Sequence, residues 1–152
     1  MKKVKITSEG TNYTAIDLGM FDHLMDYSFL HSKLNREVKG KQLIGEIIKS
    51  TASEISFQLL PPGTEIQFIH QHREHEEIYV FLKGSGQFQV DGSVFDVSEG
   101  SVIRISPEGK RTYRNNSEKP LVFMCIQCQA GSLNSFFIED GFRAEGVISW
   151  PK

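Results

Sequence analysis

The sequence predicts an all-β fold, a sandwich or barrel of antiparallel strands, and three observations carry that expectation. From Leu43 onward, short runs rich in Ile, Val, Phe and Tyr recur at intervals of roughly ten residues. Turn-forming Gly, Pro, Asp and Asn residues separate them. The chain has 152 residues, 39% of them hydrophobic, and no repeat or linker-like composition divides it. One core of that size removes roughly 70% of the unfolded surface from water, so neither a disulfide nor a structural metal is required for folding.

The elements follow in order. Residues 1–42 are expected to form an irregular lead-in that packs on a barrel spanning 43–130, with residues 131–152 as a tail laid back on it. Within the lead-in, residues 20–34 carry Met20, Phe21, Leu24, Met25 and Leu30 at positions compatible with one helical face, while Tyr27, Ser28 and Phe29 suit a strand equally well. The barrel strands are expected at about 43–49, 54–60, 65–72, 77–83, 86–91, 93–98, 101–106, 111–115 and 121–129. Between them lie Pro61-Pro62-Gly63, Gly84-Ser85-Gly86, Asp91-Gly92, Glu99-Gly100, Pro107-Glu108-Gly109 and Asn115 through Pro120. Asp91-Gly92 suits a two-residue type I′ hairpin turn, which pairs Phe88 with Phe95. In the tail, Phe136-Phe137-Ile138, Val147-Ile148 and Trp150 read as short strands or hydrophobic anchors.

Composition excludes several partners. Seventeen basic against nineteen acidic residues give a net charge of −2, which offers no general attraction to nucleic acid or to an anionic membrane. The unbroken apolar run from Leu121 to Ile126 falls far short of the ~20 residues of a spanning helix. Lys2, Lys3 and Lys5 precede no signal-like apolar stretch, because Ser8, Glu9 and Asn12 interrupt it. A cytoplasmic location is expected. Cys125 and Cys128 have the spacing of a redox or zinc pair, but on a strand an offset of three sends the two sulfurs to opposite faces.

The chemistry concentrates in one place. His70, His72 and His75 fall within six residues and are followed by Glu76 and Glu77. Residues two apart on a strand share a face, so His70 and His72 project together, and a turn through Arg73–Glu76 returns Glu77 beside them on an antiparallel neighbour. Two imidazoles and one carboxylate form a ligand set for Fe, Mn, Ni or Zn that leaves coordination positions open. The competing reading makes the same residues solvent-facing polar groups. The apolar run Ile78–Leu82 favours burial and, with Glu77 facing inward, puts Tyr79 and Phe81 on the site's face. His75 and Glu76 are expected to point outward, with Glu76 in a surface ion pair. His23 and His31 receive no role, and Gln58 and Gln67 are pocket-border candidates only.

These residues resemble the cupin superfamily. Its first motif, Gly, five residues, His-x-His, three or four, Glu, six, Gly, is matched from Gly63 through His70, His72 and Glu77 to Gly84 with one extra residue before His70. The second, Gly, five residues, Pro-x-Gly, two, His, three, Asn, runs from Gly100 through Pro107-Glu108-Gly109 to Asn116, again with one extra residue, and sets Thr112 where a fourth metal ligand belongs. The resemblance implies a double-stranded β-helix, a jelly-roll-like barrel of two antiparallel sheets with the site inside. Arg114 shares the strand parity of Thr112 and is a pocket candidate with it, able to hold a carboxylate or phosphate with Arg111 then pointing outward, while the competing reading makes Arg111 and Arg114 a solvated strand end.

Two functions follow from the resemblance. One is a metal-dependent oxygenase or isomerase acting on a small oxygenated molecule. The other is a metal-free barrel that binds a small sugar or carboxylate. Strands apolar on both faces require a cover for one of them, either the lead-in or a second subunit, and a homodimer is expected.

Overall fold

The computed structural model describes residues 2–31, 35–137 and 140–151. Ile138 of the expected tail anchor, and the end of the ambiguous 20–34 segment, lie outside them. Strands dominate. Two hairpins open the chain, β1 (Lys5–Gly10) with β2 (Tyr13–Asp17), and β3 (Ser28–His31) with β4 (Arg36–Lys39). Between them a 3-10 helix spans Phe21–Asp26, so the described part of the 20–34 segment is helical first and extended over Ser28–His31. The remaining strands are β5 (Lys41–Leu43), β6 (Ser53–Leu60), β7 (His75–Lys83), β8 (Ser85–Val90), β9 (Ser93–Ser98), β10 (Val102–Ile105), β11 (Arg111–Arg114) and β12 (Leu121–Gln129). They form an antiparallel five-stranded sheet in the order β10-β7-β12-β6-β5 and a three-stranded one in the order β11-β8-β9, the two sheets of a double-stranded β-helix.

The β8–β9 hairpin has the expected register, with Phe88 opposite Phe95. Its turn residues Asp91 and Gly92 have φ of 50° and 87°, the left-handed pair that a type I′ turn requires. Two expected strands differ. Residues 45–49 are turns, and residues 65–72 meet β11 only at isolated bridges, Glu65 with Arg114 and His70 with Arg111. Five steps along one chain span three along the other, so the segment bulges and cannot keep a continuous ladder. The extra residue before His70 is absorbed in that bulge.

Two apolar clusters explain why the central strands carry hydrophobic side chains on both faces. Between the sheets, Tyr79, Phe81 and Phe123 of the larger one pack on Phe88, Val97 and Tyr113 of the smaller. Behind the larger sheet, Leu59 and Val122 pack against Leu18, Leu24, Tyr27 and Ile44, so the lead-in supplies the cover that the sequence required. Gly40 makes the passage from β4 to β5 possible. Its φ is 75°, its N–H donates to the Tyr27 carbonyl and its carbonyl accepts from Leu59 N–H. A Cβ there would stand 2.7 Å from the Leu59 carbonyl oxygen, closer than any side chain tolerates. The tail departs from expectation: Phe136, Phe137, Val147, Ile148 and Trp150 are exposed rather than anchored on the body.

Candidate metal centre

His70, His72 and Glu77 converge. One ligand atom from each lies within 4.8 Å of the others. The histidines reach this point from the bulged segment, where His70 N–H donates to the Arg111 carbonyl and His72 N–H to that of Pro107. Glu77 comes from β7, with Gln127 beside it on β12. Since 65–72 is not a regular strand, these backbone hydrogen bonds, rather than strand alternation, fix both imidazoles toward Glu77. Nε2 of His72 is 3.2 Å from Glu77 Oε1, and Nε2 of His70 is 3.9 Å from Oε2. The His72 contact lacks hydrogen-bond geometry, which leaves a buried Nε2 without a partner, as is His70 Nδ1.

Glu77 is 2% exposed and Arg111 is fully buried. Arg111 donates from Nε and Nη2 to Glu77 Oε2 at 2.9 and 2.6 Å, and from Nη1 to the Gly109 carbonyl at 2.8 Å. Tyr79 Oη donates to the same carboxylate oxygen at 2.8 Å. Gln127 Nε2 donates to Oε1 at 2.9 Å, and Cys125 Sγ lies 3.5 Å from it. Both carboxylate oxygens thus accept hydrogen bonds, Oε2 from Arg111 and Tyr79 and Oε1 from Gln127 and the Cys125 thiol, and Oε1 is also the oxygen that faces His72.

The orientation of β11 is the reverse of the expected one. Arg111 points inward, whereas Thr112 donates its hydroxyl to the Ile66 carbonyl and Arg114 is held at the surface by Gln87. Thr112 and Arg114 line a second cavity of about 270 Å³ with Gln87 and Val94, and neither lines the one that contains His70. The error comes from anchoring the second motif on Pro107 and Gly109. Read without an insertion from Gly100, its histidine position is Arg111 and its asparagine is Asn115. Asn115 is buried and donates to the Leu60 and Lys119 carbonyls, a structural tie between turn and sheet. A guanidinium, not a threonine hydroxyl, therefore stands in the fourth ligand position.

The cavity beside the three residues has a volume of about 410 Å³. Tyr79 lines it, as does Gln58, with Tyr113 donating to Gln58 Oε1 at 3.1 Å. Phe81 does not reach it and packs instead on Phe88 and Phe123. His75 is exposed, and Glu76 pairs with Arg104. Cys125 and Cys128 are free thiols that point to Glu77 and Glu76 respectively, on opposite faces of β12. Of the two pocket-border candidates, Gln58 lines the cavity and Gln67 does not. Two contributors to the site, Cys125 and Gln127, carry no motif signal, and only the register of β12 brings them in.

Charge in the site is set by burial and by Arg111. Burial alone would raise the Glu77 carboxyl, but the Arg111 charge and the hydrogen bonds from Tyr79 and Arg111 outweigh it and bring the pKa down to about 2. Burial lowers His70 to about 4 and Arg111 opposes its protonation further, against the pull of Glu77. His72 is lowered for the same reasons. Burial pushes the Cys125 thiol up to about 12, with Glu77 adding to the effect. At neutral pH the site holds two neutral imidazoles, a carboxylate and a thiol.

These shifts predict an acid-labile metal-free protein. His70 binds its proton more weakly folded than unfolded, so stability falls as pH drops from 6.5 toward 4. Glu77, depressed from 4.5, contributes stability that is lost as pH falls further toward 2. Urea unfolding across this range is expected to give a monotonic decline. A constant unfolding free energy between pH 7 and 4 would contradict the electrostatic description.

A family model described as a cupin domain matches residues 56–127, the stretch that contains both sheets' core strands and the three converging side chains. The crystal structure of a cupin protein from Bacteroides fragilis is similar to this chain with 35% identity and a TM-score of 0.66, over 69% of this chain and 89% of that one. An uncharacterized protein of Methanocaldococcus jannaschii is 28% identical over 105 residues, which are 69% of this chain and 80% of that protein. A Cupin 2 conserved barrel domain protein from Salinispora arenicola shares the fold at 17% identity and a TM-score of 0.57, over 76% of this chain and 91% of that one. With a matching domain model and a 35% identical cupin protein of which 89% is covered, the chain belongs to the cupin superfamily.

Proposed function

We propose that His70, His72 and Glu77 hold a divalent transition metal, Fe, Mn, Ni or Zn, and that the cavity beside it receives a small oxygenated molecule for oxygenase or isomerase chemistry. The observation that carries this reading is the buried Nε2 of His72, unpartnered and 3.2 Å from Glu77 Oε1. A buried imidazole nitrogen without a hydrogen bond is costly unless something ligates it. The donor set suits a metal: two imidazoles kept neutral by burial, and one carboxylate kept ionised. Such an ion, when bound, supplies a Lewis acid with open positions for substrate or oxygen.

The chain's own groups prepare that site. Arg111 and Tyr79 hold Oε2 and leave Oε1 directed at His72, in the manner of hydrogen bonds that orient a ligating carboxylate. Tyr79 keeps its proton, because burial raises its pKa well above the ordinary value. It therefore acts as a donor to Glu77 rather than as a base. Ile66, Phe68 and Tyr113 form the apolar side of the cavity and limit water there.

One observation favours a second reading, a metal-free barrel that binds a small sugar or carboxylate. Arg111 already neutralises Glu77 and carries a permanent charge close to any ion there. Titrating each of the four metals into chelator-treated protein separates the two. The metal reading predicts saturable one-to-one binding that weakens on the order of 100-fold or more in the His70→Ala/His72→Ala variant, through loss of two of three ligands. Equal, weak binding to both proteins would support the metal-free barrel.

A further inference from the structure

We propose that the ligand of this cavity is a small oxyanion, a carboxylate or a phosphate, and that Lys41 and Arg36 of the lead-in recognise its charge. This deepens the function proposed above and rests on the same cavity being the functional site. Its basis is the distribution of charge around the cavity. Glu77 is the sole acidic side chain among the described residues that line it, and Arg111 spends its charge on Glu77. Lys41 and Arg36 line the same cavity with no carboxylate of the cavity wall left to balance them. An oxyanion would gain charge-assisted hydrogen bonds from both, whereas an apolar or cationic ligand would gain nothing from them.

The backbone explains how residues so far from the histidines in sequence reach the site. In the β5–β6 pairing Lys41 stands opposite Gln58, and directly opposed residues share a sheet face. Gln58 is buried in the cavity wall, so Lys41 faces the cavity too. In the β3–β4 hairpin, Phe29 pairs with Val38 and His31 with Arg36. These four alternate positions make one face of the hairpin, and all four line the cavity. The opposite face carries the exposed Leu30 and the Ser28–Glu37 hydrogen bond. The hairpin is thus a wall with an apolar half, Phe29 and Val38, and a polar half that ends in Arg36. A ligand seated there meets Lys41 and Arg36 with its anionic end and turns its remaining oxygens toward His70 and His72.

The test is calorimetric titration of malonate and of inorganic phosphate, with malonamide as the neutral counterpart, into metal-free and metal-loaded protein. The variants are Lys41→Gln, Arg36→Gln and the double substitution, all at accessible positions that leave both cores intact. At least one of the two anions is expected to bind, with affinity falling about tenfold or more in the double variant, and malonamide is expected to bind no better to the wild type than to that variant. The two anion arms tell whether carboxylate or phosphate is preferred. Absence of anion binding to both protein forms at about 10 mM, or affinity unchanged in the double variant, overturns the proposal. Failure of the metal titration with Lys41- and Arg36-dependent anion binding intact would sink the metal reading alone. Tight metal binding with anion affinity indifferent to both residues would sink this one alone.

Discussion

Arg111→Met is expected to destabilise the metal-free protein by about 3–5 kcal/mol, the range seen when one partner of a buried ion pair is removed. Both partners are almost wholly inaccessible, so water cannot take over the lost interaction. Glu77 would retain only neutral donors, Tyr79, Gln127 and the Cys125 thiol, and would carry its charge in a dry interior. Its pKa would rise, so the deficit should shrink as pH falls and the carboxyl is neutralised. The double variant Arg111→Met/Glu77→Gln should be more stable than Arg111→Met alone, because the orphaned charge is gone. Urea unfolding of the three proteins at pH 7 measures this. A loss below about 1 kcal/mol for Arg111→Met would mean that the pair is more hydrated than its burial implies.

Phe123→Ala is expected to cost a similar amount, about 3–5 kcal/mol, through lost transfer energy and the cavity left behind. Phe123 lies on β12, between β6 and β7 in the larger sheet, and is 1% exposed. Its ring centroid stands 5.2 to 5.7 Å from those of Tyr113, Phe81 and Tyr79. Two of those neighbours carry the site's outer hydrogen bonds, Tyr79 to Glu77 and Tyr113 to Gln58. The packing loss therefore reaches the site, and the variant should bind metal more weakly as well as unfold at lower urea. Loss of stability with metal affinity unchanged would separate the aromatic core from the site.

Much of the fold was legible because its signals were local. Asp91-Gly92 needs only its own dihedrals to set the β8–β9 register, and the motif spacing was enough to gather His70, His72 and Glu77. What escaped depends on geometry between distant segments. The facing of β11 hinged on where the second motif is anchored, and the conspicuous Pro107 and Gly109 pulled the frame one residue away from Arg111. On a strand a one-residue slip exchanges the two faces, so Arg114 and Thr112 took the place that belongs to Arg111. Phe81 has the correct parity but stands one step deeper, inside the aromatic core. Lys41 and Arg36 could not be found from spacing, since their approach requires the turn at Gly40 and the β5–β6 register. Residues 20–31 resisted assignment because they form two short elements in succession, Phe21–Asp26 and Ser28–His31, each too brief to establish a period.

The proposed metal centre is made of His70, His72 and Glu77, with Arg111 in place of a fourth protein ligand. Anomalous diffraction decides it, on crystals grown with the ion that titrates best and recorded at that ion's absorption edge. One anomalous peak per chain is expected, bounded by the two imidazoles and the Glu77 carboxylate, with Arg111 still bonded to Glu77. Crystals that show no peak there, or a peak at another group of side chains, would contradict it and leave a barrel whose buried charges serve ligand binding alone.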